Sequence, residues 1–276
     1  MFTRKRLRRT LFALPLLLAP MLGFSQSASA ACTLSGNGTT VTKTVAGFRS
    51  YNLHVPANLS GPKVPLLLSM HGVGVFPWIQ EITSGWSPYA DTHNFIVAYP
   101  AGQFNVWDLG AGSTDVAFLR NVVNSVAAQY CVDPKQVYLD GGSLGGFMAQ
   151  RAACEAEDVF ASATSWAGGP PTLFGACNLS RPVAVALFHG EADTTVSPTA
   201  MGMVTRDEWV ARNGCNTTPV VEGPSEGTLL RYVGCGAGVE VLWRTYPGQT
   251  HDYPTGARLT DLHDRMWAFH QAHQLP

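Results

Sequence analysis

The stretch "LDGGSLGGFM", residues 139–148, sets one serine among four glycines. A serine hydroxyl is a poor nucleophile until a base takes its proton and an acid orients that base. Gly141 to Gly145 fits G-x-S-x-G, the pattern of a sharp strand-to-helix turn that presents a serine hydroxyl. Glycines weaken a strand, so several at the end of the apolar run "QVYL" imply a tight turn or a close approach of backbone. Two later segments supply partners in the order an acyl-transfer triad can use. "VAVALFHGEAD" ends in Asp193, and "VEVLWRTYPGQTH" ends in His251. Ser143 is therefore the expected nucleophile, His251 the base and Asp193 the acid. Asp252 is the rival acid, but adjacent residues point apart, which favours Asp193. A tetrahedral intermediate also needs backbone N–H donors. Leu144, after the nucleophile, and Val73, after "LLLSMHG", are the expected pair. His71 reads as a structural histidine holding that turn. His263, His270 and His273 read as a solvated helix face, not a metal site.

These residues need strands to carry them to one edge. "VPLLLSM", "FIVAYP", "QVYLDG", "FASATSWAG", "PVAVALFHG" and "VEVLWRTYPG" are short apolar runs, suited to strands buried on both faces of a parallel sheet. "SYNLHVP" alternates like a strand with one wet face. Helical patterns lie between them. In "STDVAFLRNVVNSVAAQY", Val116, Leu119, Val123 and Val126 share a face, and Ser113 or Thr114 can cap the start. "LGGFMAQRAACEAE", "MGMVTRDEWVARNG" and "RLTDLHDRMWAFHQAHQ" are the other helices expected. Alternating strands and helices make a mostly parallel α/β sheet covered on both faces, with ligands bound beyond the carboxyl ends of the strands. No repeat or linker marks a second domain.

Residues 1–30 read as an export leader: basic "TRKRLRR", an apolar stretch too short to span a bilayer, and a small-residue "ASA" site. The expected catalytic domain is 31–276. Without the leader the chain has 13 basic and 19 acidic residues, a net charge of −6, which argues against nucleic acid. Low charge and 46% hydrophobic residues exclude disorder. Six widely spaced cysteines in an exported chain predict three disulfides. Cys215 is expected to pair with Cys235 across a loop insert, while Cys32, Cys131, Cys154 and Cys177 leave three pairings open. A secreted monomer, free of membrane and nucleic-acid partners, is the expected product.

"YNLHVP", "SMHGVG", "FIVAYP", "DVAFLRNVV", "YCVDPKQVYLDGGSLGGFMAQRAACEAEDVFA", "CNLSRPVAVALFHGEAD", "ARNGC" and "GQTHDYP" together resemble the secreted esterase family that groups polyhydroxybutyrate depolymerases with feruloyl and acetylxylan esterases. The resemblance implies an α/β-hydrolase fold, ester hydrolysis by Ser143, Asp193 and His251, and no metal or cofactor. It runs over nearly all of residues 31–276. Two places depart from the family pattern: Gly142 stands where His or Phe is usual before the serine, and "GQTHDYP" replaces "GGGHxWP". Both changes spare the triad and alter the pocket walls. An acyltransferase and a peptide or polyamide hydrolase on the same scaffold are the rival chemistries, and a non-catalytic binding module is the rival class. Trp78, Trp86, Trp107 and Trp166 are expected in loops or at a strand end around the site, with Trp78, Trp107 and Trp166 as substrate contacts. The Pro- and Gly-rich segment from Gly168 to Arg181 is too short for a lipid-tunnel lid, so short or aromatic acyl esters are the expected substrates.

Overall fold

Long apolar runs became strands and amphipathic runs became helices. The computed structural model describes residue 2, residues 32–45 and residues 47–276. The expected leader, Phe2 apart, lies outside the described residues. In chain order the elements are β1 (Thr39–Val45), β2 (Arg49–Val55), β3 (Val64–Met70), α1 (Pro77–Ser84), α2 (Trp86–His93), β4 (Ile96–Pro100) and α3 (Thr114–Ala127). They continue with β5 (Val132–Gly141), α4 (Leu144–Glu155), β6 (Ser162–Trp166), β7 (Ala184–Gly190), α5 (Met203–Arg212), β8 (Val220–Glu222), β9 (Leu229–Tyr232), β10 (Val241–Tyr246) and α6 (Ala257–Ala272).

The strands form one sheet in the order β1-β2-β4-β3-β5-β6-β7-β10-β9-β8. Its six central strands, β4 to β10, run parallel, and antiparallel pairs close each edge. Alternation along each strand divides the core. Leu66 and Leu68 of β3 face Val116, Leu119 and Phe147 of α3 and α4. Leu67 faces the other side, with Trp86, Phe95 and Trp267. Ser113 caps α3, accepting from the N–H groups of Asp115 and Val116 at 3.1 and 3.4 Å. This is a mostly parallel α/β sheet with helices on both faces.

Several elements differ from the sequence reading. Trp78 and Trp86 lie not in loops but on the short helices α1 and α2, which meet at Gly85, held at φ +68°. Eight residues are about two turns, too few for a helical period to stand out. β1 is polar and mostly solvent-facing, so its strand character comes from pairing with β2. The insert between Cys215 and Cys235 is a hairpin, β8–β9, that extends the sheet. The α6 histidines do not form a solvated row. His263 and His270 are buried, and His273 is partly so. His270 bonds the hydroxyls of Ser162 and Thr164 on β6 at 2.8 and 3.2 Å, and burial lowers its pKa to about 3. His263 donates from Nε2 to the Ser84 carbonyl at 2.6 Å.

Three disulfides are present: Cys32–Cys131, Cys154–Cys177 and Cys215–Cys235. No helix among the described residues is long and apolar enough to cross a membrane.

Candidate active site

The glycines after β5 are explained by close approach. A side chain on Gly141 would run into the Gly145 carbonyl, and one on Gly145 into the Met70 carbonyl. The backbone then turns through Ser143, at φ +55° and ψ −125°. A non-glycine residue with positive φ is strained, and such strain persists only where the surroundings impose it. Here the Ser143 N–H donates to the Trp166 carbonyl at 2.9 Å, and α4 begins at the next residue. The hydroxyl is thereby presented at the carboxyl edge of the parallel strands.

Two loops at the same edge bring the partners. After β7, Asp193 is buried, and its Oδ1 accepts from the N–H groups of Thr195 and Val196 at 2.8 and 2.9 Å. Its Oδ2 accepts from His251 Nδ1 at 2.8 Å. That bond puts the imidazole proton on Nδ1 and leaves Nε2 with a lone pair, the state a general base needs. His251 and Ser143 line the same cavity. The exposed Asp252 makes no bond to the His251 ring; its carbonyl accepts from Gln249 Nε2 at 2.9 Å. His189, at the end of β7, donates from Nε2 to the Val196 carbonyl at 2.7 Å and lies 3.4 Å from Asp193 Oδ2. Burial holds its pKa below the usual value, so it stays neutral beside the carboxylate.

The turn after β3 passes close to the serine. A Cβ on Gly72 would sit 3.5 Å from the Ser143 Cβ. Among the described residues, the N–H groups of Val73 and Leu144 have no protein acceptor. His71 braces this turn from beneath. Its Nε2 accepts from the Gly102 N–H at 3.0 Å, so Nδ1 carries the proton and donates to the Gly72 carbonyl at 2.8 Å.

The cavity has a volume of about 600 Å³, with Val73, Val75, Ile79, Ile82 and Leu259 supplying much of its apolar wall. Of the expected indoles, Trp166 lines it, and its Nε1 donates to the His251 carbonyl at 2.8 Å. Trp107 does not reach the cleft. It is buried and donates from Nε1 to the His71 carbonyl at 2.8 Å, bracing the turn. Trp78 is half exposed on α1 and is not part of the cavity wall. Gln80 and Tyr253, absent from the sequence reading, do line it. The "GQTHDYP" departure was the available signal for Tyr253; nothing marked Gln80. The segment from Gly168 to Arg181 is pinned away from the cavity. Arg151 on α4 donates to the carbonyls of Pro171, Gly175 and Ala176, and Cys177 is bonded to Cys154.

Structural comparison decides the fold. It is that of the α/β-hydrolases. An acetyl xylan esterase from Aspergillus awamori superposes with a TM-score of 0.68 at 18% identity, covering 84% of this chain and 98% of that one. At the sequence level the chain is similar to esterases. The bifunctional acetylxylan esterase/xylanase XynS20E of Neocallimastix patriciarum is 30% identical over 224 residues, 78% of this chain and 32% of that protein. Poly(3-hydroxyalkanoate) depolymerase C of Paucimonas lemoignei is 31% identical over 215 residues, 74% of this chain and 48% of that protein. The chain thus spans less than half the length of these curated relatives. No family model matches it.

Proposed function

We propose that the protein is an exported serine carboxylic ester hydrolase working through an acyl-enzyme. The observation that carries this reading is the Asp193–His251 bond of 2.8 Å, with His251 lining the same cavity as a serine held at positive φ. His251 Nε2 takes the Ser143 proton as Oγ attacks the ester carbonyl. The N–H groups of Val73 and Leu144 stabilise the oxyanion, where one such donor contributes ~3–4 kcal/mol. Collapse expels the alcohol, which receives the proton from His251. Water, deprotonated by the same imidazole, then attacks the acyl carbon, releases the acid and restores Ser143. Asp193 holds the imidazole orientation and stabilises its charged form throughout. Every proton and bond is accounted for by these residues and water.

The substrates that fit are acetyl or feruloyl esters of plant polysaccharide, or short hydroxyalkanoate oligomers. The apolar cavity, the family resemblance and the relatives' names support that range. The leader-like first thirty residues and the three disulfides support export. The test is a panel of acetyl-sugar, feruloyl and hydroxybutyrate esters on purified protein, with Ser143→Ala and a serine-directed phosphonate. Hydrolysis lost in Ser143→Ala, with a phosphonate adduct mapped to Ser143, is expected. Hydrolysis surviving in Ser143→Ala ends the proposal.

A further inference from the structure

The two places where the sequence departs from the family pattern touch each other. A Cβ on Gly142 would lie 2.6 Å from the Tyr253 hydroxyl, so glycine makes room for the phenol. Tyr253 stacks on Trp166, with ring centroids 6.0 Å apart and planes inclined by 25°. What its hydroxyl does is decided by a chain of bonds that starts at Asp140, three residues before the nucleophile.

Asp140 is fully buried and forms no salt bridge among the described residues. Its Oδ2 accepts from Trp86 Nε1 at 2.7 Å and from Ser69 Oγ at 2.9 Å, and its Oδ1 accepts from Thr164 Oγ1 at 3.0 Å. The single Ser69 proton is therefore committed, and Ser69 Oγ is left to accept. It accepts from Gln80 Nε2 at 3.0 Å, which fixes the amide with its NH2 end on this side. The same Nε2 donates to the Tyr253 oxygen at 3.1 Å. Tyr253 must then aim its own proton elsewhere, and no described residue accepts it. Gln80, Tyr253, Gly142 and Ser143 all line the cavity. Burial keeps the phenol protonated, so it is a donor at any working pH.

We propose that the Tyr253 hydroxyl is a specificity-determining donor in the acyl pocket, selecting acyl groups with an oxygen acceptor on the second or third carbon over alkyl groups of equal length. This rests on the ester-hydrolase reading above. The acyl half is the part that stays bonded to Ser143, beside Gly142, and the phenol oxygen lies against Gly142. An oxygen it can reach is therefore only a few bonds from the carbonyl. A donor held in the cavity wall and left unpaired by an alkyl chain discriminates against that chain.

The test compares kcat/KM for p-nitrophenyl methoxyacetate and p-nitrophenyl butanoate, which share chain length and leaving group. The difference in intrinsic reactivity is common to all variants and cancels when their ratios are compared. In Tyr253→Phe the methoxyacetate-to-butanoate ratio should fall about fivefold, the worth of one neutral hydrogen bond. In Gly142→Ala it should fall in the same direction, because the new methyl needs the space of the phenol oxygen. If Tyr253→Phe fails to fold, Gly142→Ala decides alone. An unchanged ratio, or an equal loss on both esters, overturns the proposal while leaving the hydrolase reading intact. A wild-type protein inert to both esters overturns the hydrolase reading and this one with it.

Discussion

Asp193→Asn tests the triad through its wiring. The carboxylate has two faces: Oδ1 meets two N–H donors at 2.8 and 2.9 Å, and Oδ2 meets His251 Nδ1 at 2.8 Å. An asparagine has one oxygen and one NH2. Turning the NH2 toward Thr195 and Val196 would set donor against donor twice. Turning it toward His251 instead meets one ring nitrogen, plus His189 Nε2 at the looser 3.4 Å, whose proton already belongs to Val196. The second orientation wins. The NH2 then donates to His251 Nδ1, the ring proton moves to Nε2, and the base can no longer accept from Ser143. Such a tautomer reversal lowers kcat by about 10⁴, or ~5 kcal/mol of transition-state stabilisation. Release of p-nitrophenolate from the butanoate ester near neutral pH measures kcat, and a thermal melt checks that the two backbone bonds still hold the loop. A folded Asp193→Asn within tenfold of wild type would falsify this wiring. So would an Asp252→Asn variant more impaired than Asp193→Asn; the exposed Asp252 is expected to matter less than twofold.

The remaining expectations concern stability and substrate range. Replacing Cys215 and Cys235 by serine should cost about 3 kcal/mol for a loop of 20 residues, and replacing Cys32 and Cys131 should cost more, about 4–5 kcal/mol for 99 residues; urea melts read both. His270 has a folded pKa of about 3, below its unfolded value. Between those values the unfolded chain binds more protons, so stability is intact above the unfolded pKa and is lost as pH falls, by about 1.4 kcal/mol per pH unit. Removing the imidazole in His270→Gln should flatten that acid limb, and an unchanged slope in pH-dependent melts would count against the assignment. Because the segment from Gly168 to Arg181 is tied to α4 and does not roof the cavity, a C16 ester should turn over more slowly than acetyl, butanoyl and feruloyl esters. Faster C16 turnover in a spectrophotometric chain-length series would contradict that reading.

Much of the scaffold was legible because it rests on local pattern. A central strand such as β3, buried on both faces, reads as a nearly continuous apolar run, and α3 shows one apolar stripe, so "VPLLLSM" and "DVAFLRNVV" declare themselves. β6, with its buried Ser162, Thr164 and Ser165, does not follow that pattern. β1 and the β8–β9 hairpin did not, because a polar edge strand takes its conformation from its neighbour and not from its own residues. α1 and α2 were too short for their period to show. Among the indoles, type and strand-end position suggested a rim. Trp107 instead turned inward, because a buried carbonyl at His71 needed a donor.

The sequence by itself determined the parallel α/β architecture and the order of serine, acid and histidine after three of its strands, since chain order and strand polarity place those ends on one edge. It also marked Gly142 and the "GQTHDYP" segment as unusual. Only the tertiary structure decided that these two features meet, that Gln80 joins them to Asp140, and that the Tyr253 proton is left free. Those facts depend on contacts between residues 69, 80, 140 and 253. Hydrogen-bond direction among distant side chains is set by who faces whom in the packed interior, and no local pattern records it.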